Sequence, residues 1–160
     1  WDDIIYVSNS QMFWQGVPGT VIPNVLTPLT KMEGDLIKKV GVIGSIDRNK
    51  NTHVSIQRAL DDGFKKVHLY GLVTDQEYYR EHVVNYVNNG KAYINGYQTN
   101  PQEMYDSLTD VYHSSLSETF NLIKGECELT GTNYHGLDSA ESGAEYWDNE
   151  RILNKWRNIL

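Results

Sequence analysis

Two glutamates, Glu118 and Glu126, stand eight residues apart with Phe120, Leu122 and Ile123 between them, just after the serines at 114, 115 and 117. A carboxylate accepts hydrogen bonds and carries charge, so two of them can take hold of different ends of one extended polar ligand. If both were helical they would lie about 80° apart around the axis and roughly 12 Å apart along it, too far for a close carboxylate dyad. The same spacing also suits an ordinary helix, with Glu118 favouring the positive helix start and Glu126 solvated. On these residues alone both readings stand.

A second group lies in "GSIDRNKN", residues 44–51. Gly44 allows a tight turn after an apolar run. Arg48 and Lys50 offer cationic donors of the kind that hold phosphate, or two solvated charges in a polar loop. No G-x-G-x-x-G and no G-K-[ST] is present, so neither a dinucleotide fingerprint nor a P-loop is read here. His53, His68, His82, His113 and His135 show no metal-ligand spacing, and there is no D-x-D clamp. The serines lack a G-x-S-x-G elbow.

The bulk properties narrow the classes. A chain of 160 residues with 39% hydrophobic content can bury one core, so a single domain over 1–160 is expected. A net charge of −7 argues against a nucleic-acid partner but leaves room for a local anion site. The one cysteine, Cys127, excludes a disulfide framework and points to a reducing, cytoplasmic setting. The run "VGVIG" is far too short to span a bilayer. The sequence opens on Trp1 without a secretory signal, and the expectation is a fragment of a longer protein.

The elements that must position these groups alternate. Strand-like pieces are predicted at 4–8 and 19–25 around a Gly/Pro turn, then a connecting segment over 26–37. Buried strands are predicted at 38–46, 65–73, 90–97 and 110–115. Helices are predicted at 52–63 with Gly63 as the stop, at 75–87 with Thr74 as N-cap, and at 100–108 with Pro101 in the first turn. A further helix is expected to open in the Glu118 stretch, with Phe120, Ile123 and Cys127 on its inner side and its first-turn amides facing the strand ends. The tail 148–160 reads as helix, with Ile152, Leu153, Trp156 and Ile159 at helical spacing. Repeated strand–helix alternation implies an α/β, Rossmann-like doubly wound parallel sheet with helices on both faces. In such a sheet ligands bind beyond the C-terminal strand ends, which puts the loops 44–51, 71–75 and 114–119 along one edge.

In this order the segments resemble the C-terminal, donor-binding half of GT-B, retaining nucleotide-sugar glycosyltransferases of the group 1 type. The resemblance covers about residues 3 to 131. It rests on "DDIIYVSNS" with "VIPNVLTPL", on "KVGVIGSIDRNKN", and on "INGYQTNPQEMYDSLTDVYHSSLSETFNLIKGE" with its S-x-x-E-x-F-x-L and E-x(7)-E pattern. It implies a nucleoside diphosphate sugar as donor, a sugar or lipid-linked acceptor reached through a missing N-terminal domain, no cofactor and no metal. Lys50 matches the lysine that holds the donor diphosphate, at the turn of Gly44 and Ser45. The arginine that usually follows the glycine is replaced by Ser45, and Arg48 is the expected substitute. Glu118 matches the carboxylate near the donor sugar, taken as catalytic. The backbone at Phe120, Asn121 and Leu122 matches the amides that meet sugar and phosphate, with Asn121 where glycine is usual. Glu126 matches the carboxylate that binds the nucleotide ribose, and Tyr97 lies where the base is expected. The match fades after Gly131, where "TNYHGLDSAESGAEYW" lacks the usual P-V-[VI]-x-[ST] strand and Gly-Gly turn. The alternatives are a nucleotide-sugar epimerase or hydrolase relative, or a module that binds nucleotide without catalysis. The resemblance also implies polysaccharide, glycoprotein or glycolipid synthesis in the cytoplasm, with the inner face of the membrane as one setting.

Overall fold

The computed structural model describes residues 4–31, 38–136 and 149–158. Five strands form one sheet: β3 (Val40–Ile43), β4 (Val67–Tyr70), β5 (Ala92–Ile94), β6 (Asp110–His113) and β7 (Asn133–Gly136). Their order is β5-β4-β3-β6-β7 and every neighbouring pair is parallel. The expected doubly wound sheet is therefore present. β7 forms without the family's usual P-V-[VI]-x-[ST] pattern, as a strand that the sequence reading did not place. Its sequence, N-Y-H-G, is polar because it lies at a sheet edge, where the apolar run of a buried strand is not needed.

Two further short strands, β1 (Ile5–Tyr6) and β2 (Thr20–Val21), pair only with each other, in parallel. Between them lies α1 (Asn9–Gln15), which the Gly/Pro-turn reading missed. Its local code is plain once seen. Ser8 caps it by accepting from the Gln11 amide, and Gly16 closes it in the left-handed conformation at φ 66°.

Alternate side chains of the buried strands go to opposite faces. Val40, Val42, Val67, Leu69, Ala92 and Tyr112 pack with α2 (Thr52–Asp61) and with the helical run α3 (Gln76–Tyr78), a π-helical turn (Tyr79–Val83) and α4 (Val84–Asn88). Tyr70 and Val111 pack with α5 (Pro101–Asp106) and α6 (Leu122–Thr130). The N-cap of α3 is Asp75, which accepts from the Tyr78 amide at 2.9 Å, and not Thr74, whose hydroxyl goes to Asp47 instead. α7 (Asn149–Arg157) buries Ile152, and its Asn149 side chain both donates to and accepts from the Leu26 backbone. Ile159, residues 32–37 of the connecting segment and residues 137–148 lie outside the described residues. Among the described residues no helix is long and apolar enough to cross a membrane.

Candidate functional site

From β3 the chain winds to β4 and β5 on one side, then returns to β6 and β7 on the other. The chain thus turns back between β3 and β6, and the loops that follow these neighbouring strands leave the sheet at the point where a doubly wound sheet places its ligand crevice.

The first loop is held by backbone contacts to β4 and the segment that follows it. The Gly44 amide donates to the Tyr70 carbonyl at 2.9 Å and the Ile46 amide to Leu72 at 2.8 Å. Gly44 has φ 127°, a region that favours glycine, and the Lys50 aliphatic chain runs over it. Asp47 organises the turn: it accepts from the Lys50 amide at 2.8 Å, from Ser45 and from Thr74. Burial works to raise the Asp47 pKa, but these hydrogen bonds and the nearby Lys50 charge carry it below its ordinary value. Ser45, where an arginine was expected, thus serves the loop.

Lys50 and Arg48 part company. The Lys50 ammonium is bonded to Glu118 Oε1. Arg48, 54% exposed, pairs with Asp75, Glu77 and Glu81 at 3.3–3.4 Å. Three carboxylates at the start of the α3 run outcompete any pull from the crevice, so Arg48 does not stand beside Lys50 in place of the missing arginine.

The second loop is stitched to the first. The Leu116 amide and the Ser115 hydroxyl donate to the Asn49 carbonyl at 2.8 and 3.2 Å, and the Asn49 side chain donates to Ser117 O. Glu118 lies in this loop, not on the helix, because α6 starts only at Leu122. Asn121 is the reason. It caps α6 by accepting from the Lys124 amide at 3.1 Å and donates to the Tyr134 hydroxyl at 2.6 Å. A first-turn amide that was expected to face a ligand is thereby satisfied inside the chain. Phe120, buried ahead of the helix, and Cys127 on it both face inward.

Glu118 has a second partner that sequence reading missed. His113 Nε2 lies 3.0 Å from the same Oε1, and the His113 side chain is 3% exposed. The usable signal was its place as the last residue of β6, at the C-terminal edge, rather than any histidine spacing. Burial would raise the Glu118 pKa, yet hydrogen bonds from His113 and Lys50, the Lys50 charge and a bond from Ser115 bring it down to about 2, from an ordinary 4.5. A carboxylate depressed in the folded state stabilises the fold above its unfolded pKa and loses that contribution as pH falls through its folded one. The loss from Glu118 therefore runs between about pH 4.5 and 2, and Asp47 acts in the same sense. Urea midpoints measured from pH 6 to 2.5 are expected to fall less steeply for Glu118→Gln than for the unmodified protein. The difference should be on the order of 2 kcal/mol, and equal slopes would remove Glu118 from the acid transition.

Glu126 sits on α6 with partners of its own. It accepts from Tyr105 at 2.8 Å and is also bonded to the Thr27 side chain. Burial raises its pKa against those two bonds. Tyr97 follows β5 and is 71% exposed. Among the described residues no three His, Cys, Asp or Glu side chains are grouped to hold a metal ion.

No protein-family model and no curated protein matches this chain. Solved structures do. Anabaena Alr3699/HepE, in complex with UDP and glucose, is similar with a TM-score of 0.71 and 16% identity, over 98% of this chain and 54% of that one. A TarM variant of S. aureus, in complex with UDP, α-GlcNAc-glycerol and fondaparinux, gives 0.69 and 17%, over 99% and 36%. The C-terminal domain of a glycosyl transferase group 1 family protein (LpcC) from Francisella tularensis gives 0.55 and 15%, over 96% and 84%. The chain thus spans about a third to a half of the longer neighbours.

Proposed function

We propose, for a chain that has the fold of the C-terminal domain of GT-B glycosyltransferases, that it is the donor-binding half of a transferase. It takes a nucleoside diphosphate sugar and passes the sugar to an acceptor with retention at the anomeric carbon. The observation that carries the reading is the meeting of Lys50 and Glu118 between the ends of β3 and β6. The HepE and TarM structures are in complex with UDP, the first of them also with glucose.

In this reading the Lys50 ammonium and the turn at Gly44 and Ser45 take the diphosphate. Lys50 then offsets the charge that builds on the leaving phosphate oxygens, and no metal is required. Glu118 faces the donor sugar, the backbone of Phe120, Asn121 and Leu122 lines it, Glu126 receives the ribose and Tyr97 flanks the base. Arg48 stays with its three carboxylates. The acceptor belongs to a further domain of a longer protein, working in the cytoplasm or at the inner membrane face.

Isothermal titration of UDP-, GDP- and ADP-sugars into the protein tests this. Binding of one of them is expected, weakened about 10-fold by Glu126→Ala for a lost charge-assisted hydrogen bond. No binding to any of the three, or binding that ignores Glu126→Ala, overturns it. Ser45 in place of an arginine favours a second reading, a module that binds nucleotide without transfer. Product analysis with and without acceptor separates the two, and also reveals an epimerase or hydrolase.

A further inference from the structure

The Lys50 ammonium and the His113 imidazole meet at one oxygen, Glu118 Oε1. A diphosphate gripped by Lys50 competes with that oxygen for the three N–H donors of its ammonium, and as Lys50 turns to phosphate Glu118, only 13% exposed, loses the pairing with that charge. A carboxylate left unsatisfied in a largely buried place is costly, so it would follow Lys50 or take up a proton. Something has to hold it where it is.

We propose that His113 is a positioning residue that keeps Glu118 ionised and oriented once the donor's diphosphate draws Lys50 away. The inference rests on the donor-binding reading. The geometry supports it in three ways. Glu118 as a carboxylate can only accept, so His113 Nε2 must carry the proton it donates. His113 is the last residue of β6, paired into the sheet and buried, and belongs to neither loop. Its ring is packed beside Tyr134 of β7, 6.2 Å between centroids, and Tyr134 is itself fixed by Asn121. The groups that face Glu118 are Lys50 from the loop after β3, His113 from β6 and Ser115 from the following loop. Of these only His113 and Ser115 remain when Lys50 turns to phosphate.

The decisive experiment needs no ligand. Lys50→Met imitates the departure of Lys50, and the Glu118 carboxyl carbon is followed by NMR as pH is varied. Adding His113→Leu to Lys50→Met is expected to raise the midpoint of Glu118 by about one to two pH units, the equivalent of one hydrogen bond to a charged group. Adding His113→Gln, whose amide reproduces the Nε2 donor, is expected to restore most of that shift and serves if the leucine variant folds poorly. An unchanged midpoint in Lys50→Met with His113→Leu overturns the proposal.

Titration with a nucleoside diphosphate then asks whether the role is used. His113→Leu alone should weaken binding about 10-fold and add proton uptake on binding. Neither effect should appear when Glu118→Gln is already present, since no charge is then stranded. A purely structural histidine would weaken binding on both backgrounds and overturns the proposal. If the unmodified protein binds no nucleoside diphosphate, the donor-binding reading fails, while the carboxyl titration still decides what His113 does to Glu118.

Discussion

Lys50→Met is expected to weaken nucleoside diphosphate binding by about 10- to 100-fold, the range set by losing a charge-assisted hydrogen bond of roughly 1.5–3 kcal/mol. The effect has an unusual counterpart. Lys50 is not free in this structure but bonded to Glu118, so part of the binding free energy is consumed in separating the pair. Glu118→Gln should therefore bind the diphosphate several-fold more tightly than the unmodified protein while losing transfer. A merely electrostatic account of the crevice agrees on the direction, because removing a negative charge favours an anion. It also predicts that the gain survives in the Lys50→Met background, whereas release of a paired lysine predicts that it does not. Calorimetry on the two single variants and the double variant reads this directly. Equal gains on both backgrounds would show that the ion pair is not what the ligand has to open.

The largest expected loss of stability comes from Gly71→Ala. A Cβ built on Gly71 lies 1.9 Å from the Gly44 carbonyl oxygen, 2.6 Å from its carbon and 3.3 Å from the Ser45 amide nitrogen. These are backbone atoms that no rotamer change can move. They are also pinned on either side, by Gly44 N–H to Tyr70 and by Ile46 N–H to Leu72. Either the strand ends separate or the 44–51 loop shifts. The expected cost is about 3 kcal/mol or more, the upper end for overpacking, out of the roughly 5–15 kcal/mol that holds a domain of this size. Gly16→Ala is the comparison: φ is 66° there, against 157° at Gly71, and nothing lies within 4 Å of the added carbon. It should cost about 1 kcal/mol, the strain of a left-handed backbone alone. Urea denaturation of both variants distinguishes close backbone approach from conformational strain. Equal costs would mean that the strand ends part easily, and that the loop is not set by this contact.

Much of this architecture could be read from local pattern. β3 and β4 announce themselves as buried apolar runs, and Gly44, Pro101 and Gly63 mark turns and ends because each permits or forbids a backbone conformation regardless of what surrounds it. The polar β7 and the late start of α6 share a cause. β7 is polar because an edge strand is specified by its neighbour, and the start of α6 is set by an Asn121 cap that also bonds Tyr134, thirteen residues away. Helix over Glu118 was the expectation from residue type; the cap overrode it.

For the site, sequence alone determined which residues could carry charge and roughly where: Lys50 after one strand, Glu118 after another. Tertiary structure decided which of them meet. Arg48 and Lys50 are two residues apart and equally cationic, yet one joins three carboxylates on α3 and its π turn while the other crosses to Glu118. Charge is a property of a side chain, whereas pairing depends on the partners that distant segments bring within a few ångströms, and only the folded sheet, by setting the ends of β3 and β6 side by side, fixes that.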